Sequence, residues 1–192
     1  MTGSRLQFDA DRHVYTLDGR EVLSVTQILK VAGLIDSRFF NVDARDRGTY
    51  VAQATHFMDE GVLDIDSLDP ALVPYCRAWS KFLKESNAEV IQSEYRVFNL
   101  THGYAGTLDR WLILNGKDTV IDIKTGGSAL WHPIQTAGYA SCIRTHLSRG
   151  CVYLNDDGSY KLKLHKDPGD FGVFSAAMVL AKWKTENGVN VT

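Results

Sequence analysis

Apolar and polar positions along this chain change period several times, and each change predicts an element. Leu6-Gln7-Phe8 and then His13 to Leu17 alternate like the two halves of a β-hairpin, with Asp18-Gly19 as a turn signal. Ser24 or Thr26 can cap a short helix over 27–32 that Gly33 ends. From Asp43 to Glu60 the period becomes helical: Tyr50, Val51, Ala54, Phe57 and Met58 fall on one side, and Gly61 stops the run. A second helix is expected over 70–85, with Leu72, Tyr75, Cys76, Trp79, Phe82 and Leu83 as its buried stripe and Pro70 in its first turn.

The pattern then shifts to strands. Segments 90–100, 104–114 and 119–124 are rich in β-branched and aromatic residues, with turns at His102-Gly103 and Asn115-Gly116. A helix over 133–147, strands over 151–154 and 160–164 around Asp156-Asp157-Gly158, and a helix over 170–186 complete the chain. This order predicts an α/β fold: one domain with a central mixed β-sheet flanked by helices. Within it, 1–40 would form the N-terminal hairpin and helix, 41–87 a helical segment, and 88–192 the core sheet with its helices.

Composition narrows the class rather than the fold. The 192 residues are 44% hydrophobic and 23% charged, ordinary for a globular protein. No run approaches the ~20 apolar residues of a membrane span, and Met1 to Asp11 lacks the apolar stretch of a signal peptide. A cytoplasmic protein with no membrane partner is the expectation. Cys76, Cys142 and Cys151 lack CxxC spacing, which argues against a disulfide framework, a zinc knuckle or an iron–sulfur cluster and for buried thiols. The net charge of −2 offers no global basic field for nucleic acid.

Candidate chemistry concentrates in Gly106-Thr107-Leu108-Asp109 and Asp122-Ile123-Lys124. Strand alternation points Asp122 and Lys124 to one face, and Asp109 is expected to reach Asp122 across the ladder. Two such carboxylates repel unless a cation lies between them, and oxygen ligands suit Mg²⁺ or Mn²⁺. Gly106 fits a close approach by backbone or substrate. On the following helix Gln135 and Tyr139, at i and i+4, share a face that Cys142 and His146 continue. They could hold a DNA phosphate or the lysine, or form a polar face with a packed tyrosine.

These segments together resemble the PD-(D/E)XK nucleases of the RecB-like branch, which includes phage recombination exonucleases and mitochondrial single-strand exonucleases. The residues that carry the resemblance are Gly106 to Asp109, Asp122-Ile123-Lys124 and Gln135-x-x-x-Tyr139, in the family's order. His13-x-Tyr15, Leu23 to Leu29 and Arg47-Gly48-Thr49-Tyr50-Val51 extend it over nearly the whole chain. The resemblance implies a restriction-endonuclease-like core and an Mg²⁺-dependent deoxyribonuclease, with Mn²⁺ able to substitute. Its activity would be exonucleolytic, in phage or bacterial DNA recombination, repair or processing, and would leave 5′-phosphate ends. A structure-specific endonuclease is the alternative. The substrate would be single-stranded DNA or duplex ends, with a recombination or single-strand annealing protein as a candidate partner. Asp109, Asp122 and the Ile123 carbonyl would ligate metal, and Lys124 would be the catalytic lysine. Gln135 and Tyr139 would support substrate and lysine. Glu94 resembles an acid that some members place near the metals; a solvent-facing strand acid is its other reading.

One position departs from the family pattern. Members usually follow Arg-Gly-Thr with a metal-ligating histidine, and here that position holds Ala52. His56 lies on the same helix face, with Arg45, Thr49 and Asp59. Three explanations compete: His56 substitutes from one turn away, the metal is held by fewer side chains and more water, or catalysis is crippled while DNA binding persists. The last two rank above the first, because a turn advances ~5.4 Å. DNA contacts are expected from Arg45, Arg47, Arg96 and Arg110, with Lys161, Lys163 and Lys166 as further candidates. Trp131 and His132 could stack on a base or anchor a helix start.

Overall fold

The computed structural model describes residues 6–35, 42–144 and 147–189. A three-stranded antiparallel meander comes first: β1 (Leu6–Asp9), β2 (Val14–Leu17) and β3 (Arg20–Val22). Asp18-Gly19 therefore turns β2 into a third strand that alternation did not predict. Helix α1 (Val25–Ala32) starts at Ser24, whose side chain accepts from the Gln27 amide while the Gln27 side chain accepts from the Ser24 amide. That reciprocal pair settles the choice between Ser24 and Thr26 as cap, and it frees Thr26 for another role.

Helices α2 (Val42–Asp59) and α3 (Val73–Ser86) follow. Pro74, not Pro70, lies in the first turn of α3. The expected buried stripe of α2 needs correction: Val51, Ala54 and Thr55 are buried, whereas Tyr50 and Phe57 are exposed. The main sheet is built from β4 (Glu89–Asn99), β5 (Tyr104–Leu114), β6 (Lys117–Lys124), β7 (Ser148–Leu154) and β8 (Tyr160–Leu164), in that spatial order. Only β6 and β7 pair in parallel, joined by α4 (His132–Ile143); the other pairs are antiparallel. Helix α5 (Gly169–Glu186) closes the described fold, an α/β domain with a mixed sheet and a restriction-endonuclease-like core, as expected. His146, predicted to extend the α4 face, lies outside the described residues, and α4 ends at Ile143. Of the three thiols, Cys76 and Cys151 are buried and Cys142 is half-buried.

The sheet separates two cores. Val25, Ile28 and Leu29 of α1, Tyr139 of α4 and Phe174 of α5 pack with Leu108 and Val120 on one side. Val51, Trp79 and Phe82 pack with Leu112, Leu114, Ile121 and Ile123 on the other. On β6 this is simple alternation. On β5 it is not: Leu108 and Leu112 share parity yet join different cores, so alternation breaks between them, at Asp109 and Arg110. The β5–β6 pairing also ends there, at Arg110↔Ile121. Pairing between β5 and β6 thus stops short of Asp109 and Asp122.

Candidate active site

The interrupted ladder opens a cleft of about 710 Å³ whose walls include Glu94, Asp109, Asp122, Ile123, Lys124, Trp131, Gln135 and Tyr139. Asp109 does not meet Asp122 across a continued ladder. Its Oδ2 instead accepts from the Ile123 amide at 2.6 Å, replacing a ladder carbonyl with a carboxylate. Asp122 and Lys124 share a face, as alternation predicts, and their Nζ–Oδ2 distance is 2.5 Å. Parallel pairing holds them in place, because Asp122↔Cys151 and Lys124↔Tyr153 continue the register to the cleft edge.

Lys124 also donates to Gln135 Oε1 at 3.0 Å, and its ammonium lies 5.1 Å from the Trp131 ring centroid. Tyr139 reaches the cleft differently from Gln135. Its ring packs where a side chain at residue 106 would stand: a Cβ on Gly106 would lie 2.8 Å from Tyr139 Cε1. The close approach at Gly106 is therefore made by Tyr139. His132, between Trp131 and Tyr153, has a pKa lowered to about 3, by burial first and then by nearby Lys124, so it is neutral.

The acids crowd one another in a partly buried setting. Glu94 is a cleft residue rather than a solvent-facing acid, and its backbone has a left-handed φ of 49°. Its carboxyl pKa is pushed up to about 8, by burial first and then by Asp109, with Asp122 adding to the effect and Arg110 opposing it. Its Oε1 is buried without a hydrogen-bond partner, because Arg110 Nη1 at 3.6 Å is too distant to donate. Burial raises Asp122 above its ordinary range, Lys124 pulls it back, and Asp109 raises it again. Burial works against the Lys124 ammonium, but Asp122 and Asp109 outweigh it and its pKa is raised. Among the described residues no three His, Cys, Asp or Glu side chains already stand at metal-ligating spacing. The donor chemistry nevertheless fits a hard divalent cation: three carboxylates facing one cleft, one with an orphaned buried oxygen.

Several predicted contacts fall elsewhere. Arg110 is fully buried and paired with Asp59; it also donates to Thr55 Oγ1 at 2.9 Å and to the Asp109 carbonyl at 2.6 Å, so it is no DNA contact. Arg96 stacks over Phe8, 5.2 Å from the ring centroid, and is not part of the cleft wall. His56 Nδ1 lies 2.8 Å from Ser93 Oγ and its Nε2 lies 3.7 Å from Glu60 Oε1, and His56 is not among the residues that line the cleft. Arg45, Arg47, Thr49 and Ala52 do line the cleft; the Arg47 Nε is buried without a partner. Lys163 donates to Ser128 Oγ at 3.1 Å, beside the cleft loop. Sequence reading gave Thr26 only as a candidate cap within the Leu23 to Leu29 segment and missed its place in the site, where it accepts from Gln135 Nε2 at 3.0 Å.

No family model and no curated protein matches the chain. Solved structures do. An alkaline exonuclease from Laribacter hongkongensis is 12% identical, with a TM-score of 0.52 over 88% of this chain and 89% of that one. Its complex with dAMP gives 16% identity at the same TM-score, over 88% and 89% of the two chains. A candidate exonuclease from Eubacterium rectale gives a TM-score of 0.57 at 12% identity, over 88% of this chain and 83% of that one. At such identities the likeness establishes a common fold.

Proposed function

We propose that this chain is a metal-dependent DNA exonuclease of the PD-(D/E)XK type, RecB-like in its motif arrangement. The observation that carries the reading is the interrupted β5–β6 ladder, which turns Asp109, Asp122, Glu94 and Lys124 into one cleft on a fold shared with exonuclease structures. Asp109, Asp122 and Glu94 would hold Mg²⁺, or Mn²⁺ in its place. The Ile123 carbonyl joins them because its own N–H faces Asp109, and on an extended strand the N–H and C=O of one residue point the same way. When bound, the cation supplies Lewis-acid stabilisation of the phosphodiester and makes water a better nucleophile.

The chain's own groups do the rest. Lys124 has three N–H donors, of which Asp122 and Gln135 occupy two. The third faces charge growing on the scissile phosphate or orients the attacking water. Arg45 and Arg47 receive neighbouring phosphates, and Trp131 offers a stacking surface at the cleft mouth. No helix of the described residues is long and apolar enough to cross a membrane.

Ala52 favours a second reading, DNA binding without cutting, because the cleft wall presents a methyl group where a ligand would stand. End-labelled single- and double-stranded DNA, incubated with Mg²⁺, Mn²⁺ or EDTA, separates the two. The exonuclease reading expects metal-dependent stepwise shortening that Asp122→Ala abolishes. Cleavage by Ala52→His alone would establish the crippled site. Cleavage in EDTA would sink the metal mechanism, and internal cuts without end dependence would make the enzyme an endonuclease.

A further inference from the structure

We infer that Thr26 is the residue that positions the Lys124 ammonium, by anchoring the far corner of the Gln135 side-chain amide that accepts from it. A glutamine amide presents an oxygen acceptor at one corner and a two-proton donor at the other, and only its partners decide which faces where. Here the Nε2 corner donates to Thr26 Oγ1 at 3.0 Å, so the Oε1 corner must face Lys124, whose Nζ lies 3.0 Å away. The reverse orientation would set an N–H group against an ammonium that can only donate, so Lys124 fixes which corner faces it, and the Thr26 hydroxyl holds the other corner in place. Gln135 is 4% exposed, so water cannot readily stand in for a lost partner.

Thr26 is itself held firmly. Ser24 and Gln27 close the capping box on either side of it. The Ala105 amide donates to the Leu23 carbonyl at 3.1 Å, tying the start of α1 to β5. The Tyr15 hydroxyl and Thr107 Oγ1, 2.7 Å apart, tie the meander to the same strand. The N-terminal segment thereby completes the site that the main sheet begins: a rigid helix start orients an amide, the amide orients an ammonium, and the ammonium is the group available to the phosphate.

This inference rests on the proposed nuclease site, and its test has two arms. Thr26→Val keeps the shape and removes the hydroxyl; Thr26→Ser keeps the hydroxyl. In the first arm, amine acylation of Lys124 in EDTA is followed by mass spectrometry, with exposed Lys117 as internal reference. Thr26→Val should change the Lys124 rate relative to Lys117 by about threefold or more, and Thr26→Ser should restore it. In the second arm, DNA cleavage should lose about tenfold or more in kcat with KM little changed in Thr26→Val, again restored by serine. Unchanged labelling in Thr26→Val overturns the positioning role. Equal losses in the valine and serine variants also overturn it, because they would mark a packing defect instead. If the unmodified chain cuts no DNA, the nuclease reading fails while the labelling arm still decides the role of Thr26.

Discussion

Two buried ion pairs grow from neighbouring positions of one sheet, and they have opposite characters. Arg110 and Asp59 form a closed pair: the guanidinium reaches Asp59, Thr55 and the Asp109 carbonyl, stacks 5.3 Å from the Trp79 ring centroid, and is sealed from solvent. Trp79 Nε1 donates to the other Asp59 oxygen at 2.8 Å. Lys124 and Asp122 form an open pair beside a cleft, surrounded by Asp109 and by a Glu94 oxygen without a hydrogen bond. Burial alone therefore does not mark a functional charge. Saturation does: a charge whose partners are complete holds the fold, and one whose partners are incomplete has something left to bind.

The sharpest way to break this contrast is to exchange each cation for methionine. Lys124→Met should lower the cleavage rate by ~10²–10³-fold or more, with a smaller fall in melting temperature than Arg110→Met because the cleft lets water reach the Asp122 it leaves behind. Arg110→Met should act first on stability, with a smaller loss of cleavage than Lys124→Met, because Arg110 also holds the Asp109 carbonyl and lies 3.6 Å from Glu94. Stranding Asp59 in the interior should cost about 3–5 kcal/mol, read as a fall of roughly 10 °C in the melting temperature for a chain of this size. Similar stability losses in both variants would erase the distinction.

A smaller effect concerns pH. The folded pKa of Glu94 is raised to about 8, and that of Asp122 is raised as well. A carboxyl whose folded pKa exceeds its unfolded value favours the fold while protonated, so its contribution is full below the unfolded pKa and is lost as pH rises through the folded one. In EDTA the melting temperature should therefore decline between about pH 5 and 8. Glu94→Gln should flatten that decline, and Mn²⁺ should oppose it by binding the ionised acids. A stability profile in EDTA that rises over this window would contradict the assignment of strain to these acids. The smallest change expected is from Trp79→Phe. It removes one hydrogen bond from the closed pair and should cost about 1–2 kcal/mol in chemical denaturation, with cleavage unaffected.

Local pattern determined much of this protein. Helical and strand periods located the main elements, and the spacing of Asp122 and Lys124 put both on one face, because alternation is a property of the backbone alone. The motif run from Gly106 to Tyr139 pointed to a metal-dependent nuclease site. What the chain could not reveal locally depends on contacts between distant segments. Arg110 reads as a candidate DNA contact until Asp59, 51 positions away, is seen to claim it. His56 reads as a spare ligand until the packed structure leaves it off the cleft wall that Ala52 lines. Glu94 reads as either a metal-side acid or a solvent-facing one until the packed structure puts it on the cleft wall. Thr26 reads as a cap until Gln135, 109 positions on, donates to it. The pattern records what each residue can do. Only the packed structure decides which partners have already been satisfied, and an unsatisfied group is what remains able to bind.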